Sequence, residues 1–235
     1  MYFCYLFKRL CRIDDLKFTN EMSTYLKSFV FGPFQENTYV VYDDTKQCAI
    51  VDPGCYEQHE KEDLKAWIEE NNLNPVLLLN THSHLDHTFG NAYVSRTWNL
   101  TPQVHELDRP VYERFSDMAH AYGLRGAETP PEPEYVLEEG KAIEFGTTKL
   151  DVYFLPGHCP GHVAFECTNE NWILGGDVLF KGSIGRTDLP GGDMKTLMDS
   201  IKNKLLLLDE NRIVYSGHGL ETTLKEEKAS NPFLQ

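Results

Sequence analysis

The sequence has few basic residues compared with its acidic ones, and it has no long apolar run. It contains 22 lysines and arginines against 36 aspartates and glutamates, a formal net charge of −14. Such a charge repels phosphate backbones, so we expect no nucleic-acid partner. No apolar run approaches the roughly 20 residues that a membrane span needs, and we expect no membrane partner. A small acidic substrate would need a local positive site, which a bound metal could supply.

The cysteine pattern excludes a disulfide framework. The sequence has 6 cysteines, none of them in a Cys-x-x-Cys pair, and their spacing fits no small disulfide-linked domain. Free thiols are typical of a reducing compartment, so we expect a cytoplasmic protein.

The N-terminal stretch MYFCYLFKRL lacks the features of a signal peptide. Its apolar run ends at Lys8, the basic residues follow this run instead of preceding it, and no small-residue cleavage site comes after it. We therefore expect residues 1–21 to be an appendage outside the fold, and residues 22–235 to form a single domain.

Strand patterns occur in two groups, and helix patterns accompany each group. The first group surrounds an amphipathic helix at 57–72 and occupies residues 23–31, 37–44, 47–54, 75–81 and 101–107. The second group consists of two hairpins and a strand, at 142–158, 162–177 and 212–219. Further helices are predicted at 90–98, 107–127, 194–208 and 222–230. The order predicts an α+β protein in which two β-sheets pack face to face with helices outside.

The stretch THSHLDH places three histidines and an aspartate close together. It follows PVLLLN, an apolar run that predicts a strand buried on both faces, and α/β sheets tend to carry their sites at such strand ends. His82 and His84 face the same side of an extended segment, whereas Asp86 and His87 begin the next helix and can reach a second position. These groups suit zinc or iron. The alternative is an acidic surface patch, and the buried strand counts against it.

Further candidate ligands lie at later strand ends, each beside a glycine-rich turn. LPGHCPGH contains His158 and His162, LGGD ends in Asp177, and YSGHG contains His218. Glycine-rich turns allow close approach of the backbone, so we expect these segments to meet THSHLDH at one edge and to form a metal site.

As a set, these motifs resemble the metallo-β-lactamase superfamily, whose signature is His-x-His-x-Asp-His. The likeness runs from about Ser23 to the C-terminus and includes DPG, THSHLDH, PGHCPGH, GGD and SGHG. It implies the αββα sandwich of that superfamily, two packed mixed β-sheets with helices on both outer faces. It also implies two divalent metal ions, zinc in the first place, with iron or manganese as alternatives.

The same resemblance implies a role for each candidate residue. It assigns three ligands to the first metal, His82, His84 and His158. It assigns three to the second metal, Asp86, His87 and His218, and it makes Asp177 the bridging ligand. His162 and Asp52 would take outer positions that orient the ligands.

Within the superfamily the chain most resembles hydrolases of the glyoxalase II type, which are hydroxyacylglutathione hydrolases, and in particular their short bacterial relatives. LFKGSIGRTDLPGGD and NPFL carry this likeness. It implies hydrolysis of a small-molecule thioester or related ester by a hydroxide shared between two metals. Asp86 would act as the catalytic residue by orienting the nucleophile and taking a proton. Asp177 stands where β-lactam-hydrolysing members carry cysteine or serine, which disfavours antibiotic hydrolysis.

The substrate is less well defined by this resemblance. Full-length type II glyoxalases have a helical C-terminal domain that helps to hold glutathione, whereas only residues 219–235 follow His218 here. Arg186 stands where they carry a glutathione-contacting lysine, and it is the predicted substrate contact. The tyrosines expected at the positions of Asp188 and Leu220 are absent. The carrier thiol therefore stays open.

Several alternatives accompany this interpretation. A persulfide dioxygenase with one iron and a lactonase share the signature, and a degenerate fold without metal would serve only for binding. Cys159 lies beside His158, and we expect it to be a packing residue and not a nucleophile. The segment 112–135 is either a lid over the site or a solvated connection.

Overall fold

The computed structural model describes residues 23–235, and these residues form two six-stranded β-sheets. The appendage expected at residues 1–21 lies outside the described residues. The predicted αββα architecture is confirmed, with both sheets mixed in direction.

The first sheet contains the first six strands, adjacent in chain order. They are β1 (Thr24–Phe31), β2 (Glu36–Asp43), β3 (Gln47–Val51), β4 (Asn74–Leu79), β5 (Pro102–Val104) and β6 (Glu134–Tyr135). β1, β2 and β3 pair antiparallel, whereas β3 to β6 pair parallel. The parallel strands need crossover connections, which include the helices α1 (Gln58–Glu70), α2 (Leu85–Thr88), α3 (Asn91–Trp98), α4 (Arg109–Tyr112) and α5 (Phe115–Ala121).

The second sheet contains six of the later strands. They are β7 (Ala142–Phe145), β8 (Thr148–Phe154), β9 (Val163–Cys167), β10 (Trp172–Gly176), β13 (Ile213–Ser216) and β14 (Thr222–Thr223), and their spatial order is β14-β13-β10-β9-β8-β7. Only β10 and β13 pair parallel, and α6 (Met194–Asn203) forms part of the connection between them. A small separate ladder joins β11 (Leu179–Phe180) to β12 (Ser183–Ile184), and α7 (Leu224–Ser230) follows β14.

Three apolar layers hold the sandwich together. Between the sheets, Val41 and Leu79 of the first sheet pack in one cluster with Phe165 of the second. A second cluster, outside the first sheet, includes Leu64 of α1. A third cluster, outside the second sheet, includes Leu197 of α6. All these side chains are almost fully buried, and burial of a large apolar side chain contributes about 1.5–3 kcal/mol.

The largest difference between the predicted and the observed helices lies in residues 107–127. The prediction of one helix over residues 107–127 was wrong. A 3-10 turn at Glu106–Asp108 is followed by two separate helices, α4 and α5. The break lets Tyr112 donate a hydrogen bond to the carbonyl of Pro131 while Phe115 packs against Phe89. Within the part of the chain that the structure describes, no helix is long and apolar enough to cross a membrane.

The C-terminal elements differ from prediction in their boundaries. The helix expected over 194–208 ends at Asn203, and Leu205–Leu207 form a 3-10 turn. There the Lys204 ammonium donates to the carbonyl of Phe154 and to the carboxylate of Glu139. The helix expected over 222–230 begins only at Leu224, because Thr222 and Thr223 pair with β13.

Candidate metal centre

The predicted ligands lie just beyond strand ends of both sheets. His82 and His84 follow β4, Asp177 follows β10, and His218 follows β13. His158 lies in the loop between β8 and β9. The structure thus brings together the four segments that the sequence predicted to converge.

One group of donor atoms that could bind a metal ion comes from His82, His84 and His158. One donor atom from each lies within 4.8 Å of the others. His84 Nδ1 and His158 Nε2 are only 2.8 Å apart. His158 Nδ1 lies 2.8 Å from the carbonyl oxygen of Arg186. Because a carbonyl oxygen only accepts, Nδ1 carries the proton and Nε2 keeps its lone pair for a ligand.

A second group comes from Asp86, His87 and His218, again with donor atoms within 4.8 Å of one another. His218 Nε2 lies 3.1 Å from Asp86 Oδ2. On the other side of this ring, His218 Nδ1 faces the carbonyl oxygens of Phe34 and Gln35 at 3.1 and 3.2 Å. As in His158, the carbonyls fix the tautomer and direct the Nε2 lone pair into the site.

The Asp177 carboxylate lies between the two groups. Its Oδ2 is 3.6 Å from His158 Nε2 and 3.6 Å from His218 Nε2. Its Oδ1 is 3.5 Å from His87 Nε2. One carboxylate therefore reaches nitrogen atoms of both groups, the geometry that a bridging ligand requires.

Several buried polar atoms in this site have no hydrogen-bond partner in the described part of the chain. They include His82 Nε2, His87 Nε2 and Asp177 Oδ1. Leaving a buried polar atom unpaired costs about 1–3 kcal/mol. Imidazole and carboxylate donors suit zinc and iron, so these atoms fit divalent cations.

The charge state of these side chains also fits cation binding. Burial lowers the pKa of His82, and burial with the neighbouring His158 lowers the pKa of His84 to about 3. Both rings are therefore neutral near pH 7, the form that binds metals. Burial opposes protonation of His87, but the carboxylates of Asp177 and Asp86 outweigh it and raise its pKa. The surroundings of His87 thus favour a positive charge, as the surroundings of a bound cation would.

The two outer residues predicted from sequence lie where they can orient the site. Asp52 accepts hydrogen bonds from Thr81 N (2.7 Å) and Thr81 Oγ1 (2.6 Å), and its Oδ2 lies 3.0 Å from His87 Nδ1. Its backbone is left-handed, with φ of 48°, an uncommon conformation for a residue other than glycine. His162 Nε2 accepts a hydrogen bond from the backbone N–H of Asp177 at 3.0 Å, and its ring stacks on His82.

Two buried acids beside the site were not predicted. Asp108 accepts hydrogen bonds from Ser83 N at 2.6 Å and Gly161 N at 2.7 Å, so it joins the loops that carry the first group. Glu36 is fully buried, and its Oε1 lies 3.9 Å from His87 Nδ1. No motif surrounds Asp108. Glu36 lies between polar residues at a turn, where sequence indicates a solvated side chain.

A cavity of about 540 Å³ opens onto the site and is lined partly by α5. Phe115, Met118 and Tyr122 contribute to its wall, so the segment 112–135 folds over the site in part and is not a fully solvated connection. Arg186 also lines the cavity, but its guanidinium is paired with Asp188. Cys159 is fully buried, and burial raises the pKa of its thiol, as expected of a packing residue.

Fold and site together define a metal-dependent hydrolase. Residues 31–218 match the metallo-beta-lactamase superfamily, and the chain belongs to that superfamily. The predicted resemblance and the predicted enzyme class are thereby confirmed.

Three known proteins are similar to this chain over most of its length. The hydroxyacylglutathione hydrolase GloC of Haemophilus influenzae is 39% identical over 202 residues, which are 86% of this chain and 93% of that protein. The structure of the BLEG-1 B3 metallo-beta-lactamase matches with a TM-score of 0.82 and 38% identity, over 90% of this chain and 100% of that one. TTHA1623 in a di-iron-bound form matches with a TM-score of 0.80 and 41% identity, over 88% and 100%.

Proposed function

We propose that the protein hydrolyses small-molecule thioesters or related esters with two divalent metal ions. The observation that carries the proposal is the position of the Asp177 carboxylate, 3.5–3.6 Å from nitrogen atoms of both ligand groups. The name of the GloC relative supports a thioester substrate, because hydroxyacylglutathione is a thioester.

Each of the two groups of donor atoms would bind one metal ion. His82, His84 and His158 would hold one ion, and Asp86, His87 and His218 would hold the other, with Asp177 shared. When bound, two such ions supply a hydroxide near neutral pH and polarise the acyl carbonyl. We expect zinc, although a relative in a di-iron-bound form keeps iron as a clear alternative.

The protein's own groups would position the reacting atoms. Asp86 lines the cavity and lies among the donor atoms of the second group, so its carboxylate would be placed to orient a water molecule and accept its proton. Ser83, beside His84, has its backbone N–H held by Asp108, which fixes the turn that faces the substrate. A thiolate is a good leaving group and needs little acid assistance.

Metal analysis combined with a thioester panel tests this proposal. We expect about two ions per chain and hydrolysis of at least one thioester in a panel that includes S-lactoylglutathione. His218→Ala should lose metal and activity, whereas His59→Ala, an exposed histidine of α1, should lose neither. One iron per chain with oxygen consumption on glutathione persulfide would instead indicate a dioxygenase.

A β-lactam is the second candidate substrate, because BLEG-1 is called a B3 metallo-beta-lactamase. Asp177 argues against it, since β-lactam-hydrolysing members were expected to carry cysteine or serine there. A chromogenic cephalosporin added to the panel separates the two candidates. Turnover faster than that of every thioester would favour the β-lactam.

A further inference from the structure

The cavity beside the ligand groups is continuous with them. Ser83, His84, Asp86, His158 and Asp177 line it on the side of the site. A thioester whose carbonyl carbon reaches these residues must therefore place one of its two substituents, the acyl chain or the thiol carrier, inside the cavity. At about 540 Å³, the space is within the range of cavities that hold an entire small ligand.

The remaining walls of the cavity are mostly apolar. Val111, Met118 and Phe115 line it from the α4–α5 segment. The lining also includes the apolar residues Phe34, Leu85, Phe180, Ile184 and Leu189. Phe34 packs edge-to-face on Tyr122, with ring centroids 5.6 Å apart, so the pair connects the β1–β2 turn to the end of α5. Such walls stabilise an apolar group by removing it from water.

The one basic side chain in the described lining of the cavity is already paired with a carboxylate. Arg186 is the only lysine or arginine among the described residues that line the cavity. Its Nε and Nη2 donate to the two carboxylate oxygens of Asp188, both at 2.7 Å. The hydrogen bonds from Arg186 lower the pKa of Asp188 to about 2, so the pair stays ionised near neutral pH. A substrate carboxylate would have to compete with Asp188 for this guanidinium.

We propose that the cavity selects thioesters whose acyl group is apolar and uncharged. This inference rests on the proposed thioester hydrolysis and specifies its substrate class. In the reaction, the oxygen of water forms a bond to the acyl carbon and the C–S bond breaks. The products are a carboxylic acid, which releases its proton near neutral pH, and a thiol that takes up the other proton. The acyl chain contacts Val111, Phe115 and Met118 throughout.

A series of N-acetylcysteamine thioesters tests the selection, because this carrier is uncharged. The acyl groups are acetyl, butanoyl, 4-methylpentanoyl and succinyl, and the last two have the same branched shape but differ in charge. We expect kcat/KM to rise roughly fourfold per methylene from acetyl to butanoyl. We expect 4-methylpentanoyl to exceed succinyl by about tenfold or more, because the succinyl carboxylate would be desolvated among apolar side chains while Arg186 is paired with Asp188.

Two variants assign the effect to named residues. Met118→Ala should lower kcat/KM for the 4-methylpentanoyl thioester by about tenfold and leave kcat/KM for the acetyl thioester almost unchanged. The control is Met194→Ala, which alters an exposed methionine of α6 outside the cavity and should change neither value. Asp188→Asn should free Arg186 and raise turnover of the succinyl thioester severalfold without raising that of 4-methylpentanoyl. Circular dichroism of each variant verifies the fold.

The outcomes separate this inference from the function on which it rests. If the metal-loaded protein hydrolyses no thioester, both are overturned. If it hydrolyses thioesters with no acyl preference, or prefers succinyl over 4-methylpentanoyl, the selection is overturned and thioester hydrolysis stands. An equal loss on all acyl groups in Met118→Ala also overturns the selection, since the side chain would then act on the fold and not on the acyl chain.

Discussion

At the scale of single residues, the orientation of each donor atom determines the site. The backbone carbonyls beside His158 and His218 fix which ring nitrogen is protonated, and Asp52 faces the outer nitrogen of His87. Such outer contacts orient ligands and tune the basicity of the imidazoles. Asp177 differs from the histidines because one of its oxygens, Oδ2, lies 3.6 Å from nitrogen atoms of both groups.

Replacing Asp177 by alanine should remove the contact between the two groups. We expect Asp177→Ala to lose more than about a hundredfold in kcat/KM, because loss of even an outer partner costs about 10- to 100-fold. Steady-state kinetics with metal analysis measures this, and Asp63→Ala, an exposed acid of α1, is the matched control. Full turnover by Asp177→Ala with two ions bound would refute the bridging role.

Residues of the site were predictable where chemistry and spacing were both unusual. The histidines and aspartates of THSHLDH, PGHCPGH, GGD and SGHG have few structural reasons to occur beside glycine turns and buried strands. Asp108 and Glu36 were missed because a single acid near a turn is ordinarily solvated. Their burial depends on segments far away in the sequence, such as Gly161 for Asp108 and His87 for Glu36.

At the scale of elements, short loops hold the ligands and buried hydrogen bonds hold the loops. The Asp108 carboxylate, at the end of a 3-10 turn, accepts one N–H from the β4–α2 loop and one from the β8–β9 loop. It therefore ties the loop that carries His84 to the loop that carries His158, although it lies outside the two groups.

Removing this link should weaken the first ligand group. We expect Asp108→Ala to lower metal affinity or activity about 10- to 100-fold, since it acts as an outer support. Asp108→Asn keeps one acceptor oxygen and should fall between Asp108→Ala and the native protein. Competition titration with a chromophoric chelator measures the affinity, and Asp117→Ala, an exposed acid of α5, is the control. Unchanged affinity together with unchanged activity in Asp108→Ala would exclude a positioning role.

Long periodic elements were predicted well, and short ones were not. The pattern of α1 and the apolar run of β4 define these elements without help from the rest of the chain. β6, β11, β12 and β14 contain two residues each, too few for any period. Pairing with neighbouring strands determines them, as packing against Phe89 and Leu85 determines the division of the 107–127 segment.

At the scale of the whole molecule, the site joins the two sheets. His82, His84, Asp86 and His87 come after a strand of the first sheet. Strands of the second sheet precede His158, Asp177 and His218. A bound ion would therefore be linked to both halves, and its binding free energy would add to the free energy of unfolding.

Metal removal should therefore lower the melting temperature. An ion present at a thousand times its Kd stabilises the fold by about 4 kcal/mol, and in a chain of this size this corresponds to roughly 8–16 °C. Differential scanning calorimetry before and after chelation, with metal analysis of both samples, measures the shift. An unchanged Tm after complete removal of the metal would show that the ions do not contribute to holding the sheets together.

Residues 1–21 should contribute little to this molecule, and we propose that residues 22–235 are the hydrolase domain. Deleting residues 1–21 should leave kcat/KM and Tm nearly unchanged, because every predicted site residue and the twelve strands of the two sheets lie within residues 23–235. Kinetics and calorimetry of the truncated chain test this. A large loss in either quantity would place these residues within the functional fold.

The separation of the two sheets along the chain has a consequence for biosynthesis. Strands β1 to β6 all precede β7 to β14, so a ribosome completes the first sheet while neither ligand group is complete. His158 completes the first group, and His218, close to the C-terminus, completes the second. The second group therefore cannot offer all three of its donor atoms to a metal ion until residue 218 has been synthesised, and the proposed two-metal hydrolysis would have to wait for the same point.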